Sequence, residues 1–156
     1  MKPTLAGALA ELSRNRTLWV PLATWAGVQL WKFVAELLFR RHFDLSRLFT
    51  AGGMPSSHSA LVAALAISAG MNAGFGSVSF AVAAVLAMVV MYDAAGIRQA
   101  AGKQAEKINI IVEELLSGHP LNDERLREIL GHTPFQVLVG GLIGAIAGWL
   151  FNLQSW

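Results

Sequence analysis

The chain has 156 residues, 54% of them hydrophobic and 14% charged, with a mean hydropathy of +0.51. That is too apolar for an ordinary water-soluble domain and reads as one small, multi-pass membrane domain, in the cell membrane if the source is bacterial. A net charge of +2, with the basic residues beside apolar spans, argues against nucleic acid, and the absence of cysteine excludes disulfides, thiolate zinc sites and cysteine nucleophiles.

In chain order, residues 1–16 place Lys2, Arg14 and Arg16 around a short Ala/Leu patch interrupted by Glu11. The patch is too short for a signal-peptide core, and no cleavage is expected. The first span runs over about 18–39, carries Trp19, Trp25 and Trp31, and has Lys32 and Glu36 as its only charges. These two lie one helical turn apart, so they either pair and snorkel toward the headgroups, or Lys32 is aimed at a buried anion.

Arg40, Arg41, His42, Asp44 and Arg47 form an interfacial connection into Gly52-Gly53-Met54-Pro55-Ser56-Ser57-His58-Ser59-Ala60. Pro55 suits the first turn of a helix, so hydroxyls, unpaired N–H groups and an imidazole are expected together at a helix N-terminus, which attracts phosphate. The plain alternative is a Ser-rich helix start with a solvent-facing histidine.

The second span, about 59–73, is rich in Ala, Ser and Gly and suits a central place in a bundle. A Gly-containing turn over 72–77 leads to the third span, about 78–92, which ends at Asp93. Ile97, Ala101, Ala105, Ile108, Val112 and Leu115 then share one face of an amphipathic helix over about 97–116, expected outside the hydrocarbon core. A short second interfacial helix over about 123–130 has Asn122 as cap, Leu121 and Leu126 as staple and Gly131 as stop. His132 precedes Thr133, a natural cap, and Pro134, a natural first helical residue, at the start of the last span, about 135–153. Gly140, Gly144 and Gly148 give that span a smooth face, for helix packing within the chain or for a homo-oligomer. The fold expected is all-α: an integral membrane helical bundle of about four transmembrane helices plus an amphipathic interfacial helix.

Four crossings in order bring Lys32, Ser56 to His58, Asp93 with Arg98, and His132 to one side of the membrane. Lys and Arg counts favour that side as cytoplasmic. Two histidines at helix N-termini with Lys and Arg nearby supply the parts for a nucleophile, an acid and cationic clamps on a phosphoryl group. A metal site drawn from His58, His132 and Asp93 lacks ligands at helical i, i+4 or HExxH spacing, so no metal is expected. Neither a GxSxG elbow nor a Walker-type loop occurs, and no cofactor is expected.

Gly53-Met54-Pro55-Ser56-Ser57-His58-Ser59, Met91-Tyr92-Asp93-Ala94-Ala95-Gly96-Ile97-Arg98 with Gly102-Lys103, and Gly131-His132-Thr133-Pro134 resemble the divergent branch of the type 2 phosphatidic acid phosphatases, relatives of the vanadium haloperoxidases. The similarity covers most of the chain. It implies that Ser56 and Ser57 hold phosphate, that His58 protonates the leaving group and that His132 is the nucleophile. Asp93 joins the catalytic set, with Lys32, Arg98 and Lys103 as phosphate-binding cations. Two departures stand out: Ser57 replaces the main family's glycine, and Gln136 replaces the aspartate that orients the nucleophile four residues on. The family's arginine six residues before the nucleophile falls on Leu126, and that of its Lys-x6-Arg-Pro motif, started at Lys32, on Phe39. Gln136 can orient an imidazole but brings no negative charge.

The function expected is hydrolysis of a lipid phosphomonoester or diphosphate through a phosphohistidine, without metal, with lipid phosphate as substrate and membrane lipids as surroundings. A non-catalytic protein that binds anionic headgroups or a membrane partner is the alternative, with a small transporter subunit third.

Overall fold

The computed structural model describes residues 4–40, 53–116 and 132–153. These form six α-helices and, among the described residues, no strand: α1 (Leu5–Arg14), α2 (Arg16–Arg40), α3 (Ser57–Ala73), α4 (Val78–Ala95), α5 (Ile97–Leu116) and α6 (Pro134–Leu153). The expected connection over 41–52 and the short helix over 123–130 lie outside the described residues.

α3 is the axis of the bundle, packed against α2, α4 and α6. Its small side chains make this geometry possible, because Ser57, Ser59, Ala60, Ala64, Ser68 and Gly70 are all buried and let neighbouring backbones come close. α6 lies along α3 through its glycines. A Cβ at Gly140 would strike the Ser56 carbonyl oxygen, one at Gly144 the Ala60 carbonyl oxygen, and one at Gly148 would lie 2.9 Å from the Ala64 carbonyl oxygen. The face expected as an oligomer contact is therefore covered by α3 of the same chain, since only backbone without side chains can approach that closely. α4 returns along another side of α3, where Val62, Ala66 and Ala69 meet Ala83 and Ala87.

The far end of the α3–α6 seam is closed by a polar knot. Asn72 Nδ2 donates to the Ser68 carbonyl (2.8 Å) and to Asn152 Oδ1 (2.8 Å), and Asn152 Nδ2 donates to Ser68 Oγ (3.0 Å) and the Gly148 carbonyl (2.6 Å). Asn152 is 1% exposed, and each of its side-chain atoms is satisfied within this knot.

The molecule is arranged inside out compared with a water-soluble fold. Among the described residues Asn152, Ser56, Ser57, Ser59 and Ser68 are the largest fully buried side chains, while Leu38, Val78, Met88 and Tyr92 are each at least 70% exposed. Water would not tolerate that surface, whereas hydrocarbon requires it. Among the described residues two helical stretches are long and apolar enough to cross a membrane, one within Val78–Glu113 at mean hydropathy 2.1 and Pro134–Leu153 at 1.7. α3 has only 17 residues, and the 25 of α2 are diluted by Thr, Gln and charged side chains.

α5 touches α4 and no other described helix, and Ile108, Ile110 and Ile111 on it are exposed. α1 likewise buries none of its residues. It is held to α2 by the Trp19 indole N–H, which donates to the Leu12 carbonyl (2.8 Å), and by Asn15 Oδ1, which accepts from the Leu18 N–H (3.2 Å).

Candidate active site

The N-terminus of α3 is built differently from the sequence expectation. Ser56, not Pro55, is the boundary residue: it is extended (φ −69°, ψ 112°), and its Oγ accepts from the Ser59 N–H (3.3 Å) and the Ser59 hydroxyl (2.9 Å). A serine hydroxyl satisfies an orphan helix N–H, which a proline side chain cannot do, so Pro55 falls outside the helix. Ser56 is fully buried beneath Gly140, and its hydroxyl, expected to hold phosphate, is engaged in the cap.

Ser57 is the first helical residue, and Lys32 reaches it from α2. Lys32 Nζ donates to Ser57 Oγ (3.3 Å) and to Gln29 Oε1 (3.1 Å), which brings the ammonium to the α3 terminus. Gln29, 6% exposed, helps fix the lysine from within α2. His58, the next residue on α3, is half-buried.

α6 begins beside α3. The Ser56 N–H donates to the Gln136 carbonyl (3.2 Å), so the two helix N-termini are tied together across 80 residues of chain. His132 sits just before α6, is 6% exposed, and has its Nε2 buried with no hydrogen bond to that atom, although the residue has an interaction elsewhere. Thr133 caps the helix, Oγ1 accepting from the Gln136 N–H (3.3 Å), while Gln136 Oε1 accepts from the Thr133 N–H (3.0 Å). This is a capping box, whose Thr-x-x-Gln signature is visible in the sequence and adds Gln136 to the cap expected at Thr133. The Gln136 oxygen expected to orient the His132 imidazole is thus committed to the cap.

The remaining residues separate. Asp93, half-buried, ends α4 at this same end of the bundle; two residues earlier, Met91 lies against α6, its Cε 2.8 Å from where a Cβ on Gly141 would stand. Arg98 opens α5, and its side chain lies outside the described set. Lys103 is exposed on α5, which among the described helices reaches only α4, so the fold does not bring Lys103 to Ser57. Leu126 with its flanking arginines also lies outside the described residues. Among the described residues no group of three His, Asp or Glu side chains gathers as metal ligands.

An inside-out helical bundle, with a lysine and two histidine-bearing helix N-termini drawn to one end, has a counterpart among known families. The family model described as Divergent PAP2 family matches residues 13–147. The chain belongs to the Divergent PAP2 family. An uncharacterized membrane protein of Bacillus subtilis (strain 168), YuiD, is 36% identical over 147 residues, covering 87% of this chain and 93% of the relative. No solved structure matches the chain. Family and relative together place this Divergent PAP2 protein in the membrane, in agreement with its apolar exterior.

Proposed function

We propose that the protein is a multi-pass membrane phosphatase that hydrolyses a lipid phosphomonoester or diphosphate through a phosphohistidine. The observation that carries this reading is the junction of three elements: Lys32 on Ser57 at the start of α3, and the Ser56 N–H on Gln136 at the start of α6. It gathers a cation, two helix N-termini and His58 and His132 where an anionic headgroup would meet the membrane edge. α2, α3, α4 and α6 are the crossings, with α1 and α5 on the two surfaces.

In the reaction, the neutral His132 imidazole forms a nitrogen–phosphorus bond as the bond from phosphorus to the lipid oxygen breaks. His58 gives its proton to that leaving oxygen. Water then attacks the phosphohistidine, His58 takes the water proton, and inorganic phosphate leaves. Lys32 and the first N–H groups of α3 hold the phosphoryl oxygens throughout.

The engagement of Gln136 in the cap favours a second reading, a non-catalytic binder of anionic headgroups, because it leaves the nucleophile without a carboxylate at the family's position. Phosphate release from lipid phosphates in liposomes decides between them. An enzyme loses turnover in His132→Ala and slows in His58→Ala, most for leaving groups of high pKa. Full activity in His132→Ala removes that residue from the nucleophile role, and absence of release across the panel leaves the binding reading.

A further inference from the structure

Beside the headgroup end lies an apolar trough of about 800 Å³ with α2 on one wall and α6 on the other. Both helices pack along α3 far more closely than they meet each other, and this leaves the gap open between them. One wall follows α2 from Ala23 through Gly27 to Trp31, and the other follows α6 in steps of four from Val139 to Phe151. At about 1.5 Å per residue the α6 wall is about 18 Å long, close to one leaflet of a hydrocarbon core of about 30 Å.

We infer that this trough holds one hydrocarbon chain of a phosphorylated lipid whose headgroup lies at Lys32 and Ser57. The phosphate end rests on the reading proposed above; the chain site stands on the trough itself. Its lining is chemically uniform. Apart from the Trp31 indole N–H, Thr24 brings the polar side-chain atom of the lining, and its hydroxyl is already donated to the Val20 carbonyl (2.8 Å), so the walls are overwhelmingly apolar. The trough also ends next to the chain stretches that carry the cation site, and a Cβ at Gly53, beside Met54, would lie 3.9 Å from Lys32 Cδ. Trp31 precedes Lys32 directly, and Met54 and Pro55 run straight into Ser56 and Ser57. Positive charge at one end and hydrocarbon along the rest are what a chain with an anionic head requires.

Gly27 sharpens the point. Gly140, Gly144 and Gly148 of α6 are needed because α3 backbone presses on them, but a Cβ at Gly27 would meet nothing within 4 Å. Packing within the chain therefore does not call for glycine there, and the space above it belongs to the trough. A leucine at 27 enters that space without displacing a neighbour of its Cβ.

The test uses full-length protein in phosphatidylcholine vesicles with a single-chain alkyl phosphate bearing a mid-chain diazirine. After irradiation, adducts are mapped by mass spectrometry, and phosphate release is measured in the same vesicles. Adducts are expected on residues 23–31 and 139–151, competed by unlabelled alkyl phosphate and not by the alkanol of equal length. Gly27→Leu should lower them about tenfold or more, as filling an apolar pocket does. Ala23→Leu, an exposed position on the same wall, repeats the test if the first variant fails to fold. Adducts unchanged in folded variants or confined to other helices would overturn the chain site, and equal competition by the alkanol would overturn the phosphate at its end. Trough adducts without phosphate release would sustain the chain site and sink the phosphatase reading; release without trough adducts would do the reverse.

Discussion

Replacing Gly144 with alanine strikes the seam that holds the two histidine-bearing helices together. The new Cβ would run into the Ala60 carbonyl oxygen and stand 2.8 Å from both the Ala60 carbonyl carbon and its Cα. Those are backbone atoms of a helix packed against three others, so α6 must shift away from α3 and loosen Gly140 on Ser56 and Gly148 on Ala64 as well. Overpacking a close-packed interior costs about 1–3 kcal/mol, and a clash with backbone belongs at the upper end. Alanine recovers about 1 kcal/mol over glycine in a helix interior, which leaves a net loss of about 2 kcal/mol. For a chain of this length that lowers the unfolding midpoint by about 4–8 °C. Gly27→Ala is the control, having the same propensity gain and no atom within 4 Å of its Cβ, so its midpoint should hold or rise. Both are measured by circular dichroism in one detergent at one scan rate, because unfolding of such proteins is often irreversible. A Gly144→Ala midpoint at or above that of Gly27→Ala would refute the packing argument.

Other consequences of the structure are open to direct measurement. Asn152→Leu leaves Ser68 and Asn72 without their partner and should cost about 1 kcal/mol, read as a drop of about 2–4 °C in the same assay; an unmoved midpoint means the polar knot adds nothing. Gln136→Glu keeps an acceptor for the Thr133 N–H and puts a negative charge at a helix N-terminus, so folding should be retained. The same charge favours the protonated imidazole of His132 and thins its neutral, attacking form at a given pH, so the acid limb of the pH–rate profile should move to higher pH in Gln136→Glu and Gln136→Asp. An unmoved limb in active variants would uncouple position 136 from His132. Because the chain has no cysteine, single cysteines report topology cleanly: Arg47→Cys and Asn122→Cys should label from one side of the membrane, and Gly76→Cys from the other. Labelling of all three from one side would end the four-crossing arrangement.

What the sequence determined by itself was whatever depends on neighbours within a turn or two. The helix over 97–116 was legible residue for residue, and the helices read over 59–73, 78–92 and 135–153 extend to Ser57–Ala73, Val78–Ala95 and Pro134–Leu153. Hydropathy, turn glycines and the Thr133-Pro134 start are local signals, because a helix satisfies its own backbone. The Ala/Ser/Gly content of α3 also announced its central place, since small residues are what close packing requires. The site was harder to read at its caps: Pro55 suggests a helix start two residues too early, and Gln136 is expected at His132 while half of a capping box stands beside it at Thr133. Only the tertiary structure decided which surfaces meet. Lys32 joins Ser57 across 25 residues, Ser56 joins Gln136 across 80, and the Gly140–Gly148 stripe is taken by α3 instead of a second copy. Lys103 stays on the outside because, among the described helices, α5 leans on α4 alone. Such outcomes depend on how each helix is rotated about its axis and which backbone can approach which, and that is a property of the assembled bundle, carried by no single segment.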